Sequence, residues 1–172
     1  MSYAMPQNIS IRRMEIKDID AVHQLDQRSF STPWARRSFI FELEENEASR
    51  SWVAEVSTEE KIVGAIICWL LVDEVQVATL AVDQAYQRKY IAKNLLCHAL
   101  VSMMNEGALS ATLDVREGNL PAQAMYRKFG FEIVGRRPGY YRNNSEAALL
   151  MTLKELNEAN LSKNACFTEG MN

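Results

Sequence analysis

The sequence predicts a single α/β domain: a mixed, mostly antiparallel sheet with helices on both faces, over residues 1–156, with a loosely ordered tail over 157–172. Three observations lead there. A chain of 172 residues suits one domain with one well-buried core. Its elements read in the order strand, two helices, three strands, helix, strand, helix, two strands. The first strands form a meander and the later ones alternate with helices, which places helices on a sheet of mixed direction.

Each element has a local cause. Residues 8–12 read as a short strand, and Asp18 then reads as the N-cap of a helix that carries Ile19, Val22 and Leu25 on one face. Ser31, Thr32 and Pro33 predict a second helix start, a hydroxyl cap followed by a proline whose missing N–H costs nothing there. That helix runs through Phe39 and Leu43 into the acidic run 42–47, which reads as a solvated helix end. Residues 52–56 and 62–71 flank a polar turn and form a hairpin. Residues 74–82 alternate through Val75 and Val77 and end on the apolar Leu80, Ala81 and Val82. Ile91, Leu95, Ala99 and Met103 recur at four-residue steps, the mark of a helix that ends near Gly107. Residues 111–115 are a strand, and Asn119 caps a short helix with Pro121 in its first turn and Gly130 after its last. Residues 131–134 and 147–153 read as the last strands, joined by a loop over 135–146.

Composition narrows the function. The net charge of -3 gives no basic footprint, so neither a nucleic acid nor a membrane surface is an expected partner. The longest apolar run, 62–72, contains Gly64 and falls short of a membrane span. The first ten residues show no export signal. Cys68, Cys97 and Cys166 lack any metal-binding spacing, and only His23 and His98 could assist, so no metal is expected. The cysteines read as separate thiols of a protein in the reducing cytoplasm.

The most informative segment runs from Leu80 to Lys93. An apolar strand ends, Arg88 and Lys89 turn the chain, and an amphipathic helix begins at once with Lys93 in its first turn. A helix start offers unpaired N–H groups and partial positive charge, and with three cations beside it the segment could receive a pyrophosphate. Read alone, it is equally a solvated basic helix start, because the loop lacks glycine.

The segment resembles the strand, Q-R/K-x-G-x-G/A loop and helix of the GNAT N-acetyltransferase superfamily. Further matches lie at Asp73-Glu74, 80–87, Asp114-Val115-Arg116, Asn119, Ala124-Met125-Tyr126, Phe129-Gly130-Phe131 and 137–141. They are similar to the bacterial ribosomal-protein alanine N-acetyltransferases, and the resemblance covers roughly residues 8 to 156. It implies acetyl-CoA as co-substrate and an acceptor peptide or protein N-terminus, here a ribosomal protein, as partner. By the same resemblance Leu80, Ala81 and Val82 offer backbone to the pantetheine arm, and Arg88, Lys89, Tyr90, Ile91, Ala92 and Lys93 cradle the pyrophosphate. Asn119 contacts the cofactor, as well as capping its helix. Tyr126 protonates the departing thiolate, and a glutamate in the family takes the place of Asp114 as general base. Pro33-Trp34 and Tyr140-Tyr141 correspond to loops that line the acceptor groove.

Two residues depart from the pattern. Tyr90 stands where the family has the first loop glycine, a position that favours close approach and unusual φ. Asp114 is one methylene shorter than the family's base, and reads either as a carboxylate acting through an ordered water or as a sheet-end aspartate. Two alternatives to N-terminal acetylation therefore remain. One is an acetyltransferase of the same superfamily for a small amine or a lysine. The other is a catalytically weak acyl-CoA-binding module.

Overall fold

The computed structural model describes residues 5–163 and Cys166. Its strands are β1 (Ile9–Arg13), β2 (Ser49–Val56), β3 (Lys61–Leu71), β4 (Glu74–Val82), β5 (Ser110–Arg116), β6 (Glu132–Tyr141) and β7 (Glu146–Leu153). Its helices are α1 (Ile19–Ser29), α2 (Arg36–Glu44), α3 (Ile91–Asn105), α4 (Leu120–Lys128) and α5 (Glu158–Ser162). The sheet order is β1-β2-β3-β4-β5-β7-β6. β1 with β2, β2 with β3, β5 with β7 and β6 with β7 are antiparallel, and β4 with β5 is parallel, so the sheet is mixed and mostly antiparallel as expected. Two compact units divide the chain, Met1–Trp69 with Thr79–Ala99 and Leu70–Ala78 with Leu100–Asn172.

In the first unit, Leu25, Phe39, Trp52, Ile66, Ile67, Ile91 and Leu95 form the core. The start of α3 lies close over β3 because Gly64 has no side chain. A Cβ there would stand 3.0 Å from Leu95 Cδ1 and 3.1 Å from Ile91 Cγ2. Asp18 takes the N-cap position of α1 as expected, but its side chain makes no capping bond to that helix. It lies in a short 3-10 turn, where its buried carboxylate accepts two hydrogen bonds from Arg12, at 2.7 and 2.9 Å. The same carboxylate accepts the Glu15 backbone N–H at 2.8 Å, so it closes the 3-10 turn and pairs with the guanidinium at once, leaving α1 without a side-chain cap. The second helix begins at Arg36, not at Ser31, and has no side-chain cap. Asp26, 2% exposed, accepts the backbone N–H of Trp34 at 2.7 Å, which holds the chain extended up to Ala35. The acidic run is a solvated helix end at Glu44, Glu45 and Glu47 as expected, but Glu42 is buried and accepts the Trp69 indole N–H at 2.8 Å.

In the second unit, Ala111, Leu113 and Val115 point into the core while Thr112, Asp114 and Arg116 line the partly open face of β5. Opposite them on β7 stand Thr152, Leu150 and Ala148. Strand β6 continues through residues 135–141, most of the stretch expected to be a loop. It is an edge strand, where Pro138 forfeits no ladder bond, and the register shifts between Arg137 and Tyr141. Such an irregularity does not show in a local hydrophobic pattern. Helix α5, with Leu161 buried, falls within the stretch expected as a loose tail, and residues 164–165 and 167–172 lie outside those described. Cys68 is a free, buried thiol whose pKa burial pushes up. Cys97 and Cys166 are disulfide-bonded, which corrects the expectation of three separate thiols and which sequence spacing does not reveal.

Candidate active site

In the first unit, strand β4 carries Leu80, Ala81 and Val82. Its parallel ladder with β5 begins at Glu74↔Ser110 and has its last pair at Val77↔Leu113, so these three residues lie beyond it. The strand then enters a 3-10 turn over Gln84–Tyr86, in which Asp83 accepts the N–H of Ala85 at 3.0 Å and a longer bond, 3.4 Å, from Arg28. The nearest acid is therefore engaged before the basic loop begins.

The loop resolves the Tyr90 departure. Arg88 and Tyr90 have φ of 60° and 61°, the left-handed conformation that favours glycine. Tyr90 takes the backbone shape expected of the family's glycine, at a cost of about 1–2 kcal/mol for an L-residue. Its ring is 39% exposed, and its carbonyl accepts the Asn94 backbone and side-chain N–H groups at 2.9 and 2.8 Å. Helix α3 starts directly after it at Ile91, with Ala92 and Lys93 in the first turn. The ammonium of Lys89 lies 4.8 Å from the Tyr86 ring centre. Pro33-Trp34 belongs to this unit, and Trp34 packs on Phe39 with ring centres 5.5 Å apart.

The second unit holds Asp114, Asn119, Tyr126 and the Tyr140-Tyr141 pair. Asp114 Oδ2 accepts from Arg137 Nη1 at 3.2 Å. Asn119 is the N-cap of α4, accepting the Ala122 N–H at 3.2 Å, as its position before Pro121 predicted. Tyr126 is buried against Phe131, ring centres 5.8 Å apart. Burial raises the Tyr141 pKa above its ordinary value, an effect that the Arg116 charge partly opposes.

Sequence reading missed several residues that shape this unit. Gln123, 2% exposed, donates to the carbonyls of Arg116 and Glu117 at 3.1 and 2.8 Å, fixing the loop between β5 and α4. Arg116 stacks on Tyr141, and Glu146 accepts the N–H of Gly118. The only local signal was a small residue, Gly118, directly before the capping asparagine. Among the described residues, no group of three or more His, Cys, Asp or Glu could hold a metal ion. No described helix is long and apolar enough to cross a membrane.

Strands β4 and β5 both continue beyond their last parallel pair, and β4 leads into a basic, left-handed turn at a helix start. The acetyltransferase (GNAT) family model matches residues 19–131, and the chain belongs to that family. A Bacillus subtilis (strain 168) protein, provisionally named a ribosomal protein bS18-alanine N-acetyltransferase, is 33% identical over 147 residues, 86% of this chain and 96% of that one. The ribosomal protein bS18-alanine N-acetyltransferase of Escherichia coli (strain K12) is 28% identical over 146 residues, covering 84% and 96%. The crystal structure of the ribosomal-protein-S18-alanine N-acetyltransferase from Escherichia coli matches with a TM-score of 0.77 at 27% identity, covering 84% of this chain and 92% of the other. The chain is an N-acetyltransferase of this family.

Proposed function

We propose that the protein transfers the acetyl group of acetyl-CoA to the α-amine of a protein N-terminus, an alanine of a ribosomal protein in the first instance, and works in the cytoplasm where ribosomal proteins are made. The observation that carries this reading is the strand-to-helix turn at 80–93, in a chain whose relatives bear that activity in their names.

The residues present fit the co-substrate. Leu80, Ala81 and Val82 lie past the last β4–β5 pair, where their backbone can pair with the amides of a pantetheine arm as an added strand would. The left-handed Arg88 and Tyr90 turn the backbone into the start of α3, where the N–H groups of Ile91, Ala92 and Lys93 would receive the pyrophosphate. Arg88, Lys89 and Lys93 add formal charge, and Asn119 adds an amide beside its capping bond. When bound, acetyl-CoA supplies a thioester carbonyl open to attack and a thiolate that can leave.

Asp114 takes the amine's proton through a water, as the N–C bond forms and the C–S bond breaks. Its bond to Arg137 does not prevent this. The pair is partly exposed, 52% and 26%, and such pairs contribute roughly 0–1 kcal/mol, so an incoming ammonium can take Arg137's place. Tyr126 donates its hydroxyl proton to the departing sulfur and recovers one from solvent. An α-amine, with a pKa of about 7.7–8.0, yields its proton to so modest a base more easily than a lysine amine at about 10.4.

The test is acetyl-CoA consumption with an Ala-initiated peptide, with a linear polyamine, and with neither. Consumption is expected with the peptide alone. Turnover of the polyamine but not the peptide would overturn the acceptor assignment, and no turnover with either would leave only acyl-CoA binding. A second expectation concerns the loop. Tyr90→Gly is expected to retain or enlarge the rise in melting temperature on adding acetyl-CoA, because glycine holds a φ of 61° without strain. Loss of that rise would mean that the tyrosine side chain itself holds the cofactor.

A further inference from the structure

The end of β5, the loop before α4 and the turn after β6 are tied by one cluster of side chains. The Arg116 guanidinium lies 3.7 Å above the centre of the Tyr141 ring. Its Nη1 donates to Glu146 Oε2 at 2.9 Å and to Asn144 Oδ1 at 3.3 Å, and its Nη2 donates to Asn143 Oδ1 at 3.2 Å. The other Glu146 oxygen accepts the Gly118 N–H at 2.8 Å. Gly118 leaves the room in which this carboxylate reaches its N–H. A Cβ there would stand 2.8 Å from Glu146 Oε1, so any side chain would push the carboxylate off the N–H. These bonds hold the Glu146 carboxyl below the usual range, that from Gly118 contributing most.

The cluster lies where the backbone fixes little by itself. Strand β6 is an edge, its register slips between Arg137 and Tyr141, and Gly139 has a φ of 62°. The two tyrosines that follow meet edge to face, ring centres 5.2 Å apart, and Tyr140 is 48% exposed. Their orientation is set from one side by the Arg116 plane against Tyr141 and from the other by Arg137, whose guanidinium carbon is 5.6 Å from the Tyr140 ring centre. Arg137 also bonds Asp114. An edge-to-face pair of partly exposed aromatic rings, on the same unit as the candidate base, is a surface against which a peptide can pack.

We infer that Arg116 and Glu146 are positioning residues for the acceptor: clasping the turn after β6 to Gly118, they set where Tyr140 and Tyr141 stand. This rests on the proposed N-terminal acetylation. The guanidinium plane is essential to it, because an ammonium can keep the Glu146 charge pair but cannot lie flat on a ring while bonding several oxygens.

Four proteins test it: wild type, Arg116→Lys, Glu146→Gln and Gly118→Ala. The last disturbs the clasp without altering a charge. In each variant, amide hydrogen exchange over residues 140–146 should quicken. The KM for an Ala-initiated peptide should rise by about tenfold, within the range that small misplacements produce. The KM for acetyl-CoA and kcat should stay within about twofold, since uniform binding of one substrate alone is lost. Unchanged exchange in the variants would show that no clasp exists. Faster exchange with an unchanged peptide KM would overturn the positioning role. A wild type that leaves the peptide unacetylated refutes the proposed function and the acceptor role with it, and the exchange data then still decide whether the clasp is real.

Discussion

Tyr126→Phe is expected to lower turnover by about 10²–10⁴-fold while leaving the fold and acetyl-CoA binding in place. The substitution removes one oxygen. The ring keeps its contact with Phe131, 5.8 Å between centres, and the Tyr126 carbonyl still accepts the N–H groups of Phe129 and Phe131 at 3.0 and 3.1 Å. The loss should therefore fall on kcat, with melting temperature and the stabilisation by acetyl-CoA close to wild type. Initial rates and melting curves with and without acetyl-CoA check both halves. Unchanged turnover would remove Tyr126 from the mechanism, and the leaving thiolate would have to take its proton from water.

Arg12→Met should cost roughly 3–5 kcal/mol of stability, the usual result of leaving one member of a buried ion pair alone. Arg12 donates two hydrogen bonds to Asp18 and two more to Glu55, at 2.9 and 3.0 Å, and Asp18 is 4% exposed. For a chain of this size the melting temperature should fall by roughly 6–20 °C. The pH dependence identifies the cause. Burial opposes the Asp18 charge, but the bonds from Arg12 and the Glu15 N–H outweigh it and hold the folded carboxyl below its ordinary value. A depressed folded pKa contributes stability that is present above the unfolded value, about 3.9, and is lost as pH falls through the folded value. The gap between wild type and Arg12→Met should thus be widest near neutral pH and narrow below about pH 4, where a buried aspartic acid no longer needs its partner. A gap that stays constant with pH would assign the loss to packing of the arginine stem.

Much of this was legible in the residues, for identifiable reasons. The four-residue recurrence of Ile91, Leu95, Ala99 and Met103 and the alternation of Ala111, Leu113 and Val115 express burial directly, and both elements stand as expected. Asn119 before Pro121 is a local signal for a local bond. The misses share a different origin. Asp18 stands at the N-cap position of α1, but nothing in the local pattern announces that its carboxylate pairs with Arg12 instead of capping that helix. The start of α2 moved because Asp26 takes the Trp34 N–H, and β6 lengthened because an edge position tolerates Pro138. Tyr90 was legible as a departure, but only the structure shows that it takes a left-handed φ of 61°. The Arg116, Glu146 and Gly118 clasp was invisible, since it is assembled from three segments with no shared pattern.

An N-terminal α-amine as the accepting group can be read from the site of the acetyl in the product. The purified protein is incubated with acetyl-CoA and a peptide that carries both a free N-terminal alanine and an internal lysine, and fragmentation mass spectrometry locates the added acetyl group. A single acetyl is expected on the alanine nitrogen, with the lysine unmodified at early times near neutral pH, where roughly a tenth of the α-amine is already unprotonated and less than about a thousandth of the lysine amine is. Acetylation of the lysine ahead of the N-terminus would contradict the α-amine assignment.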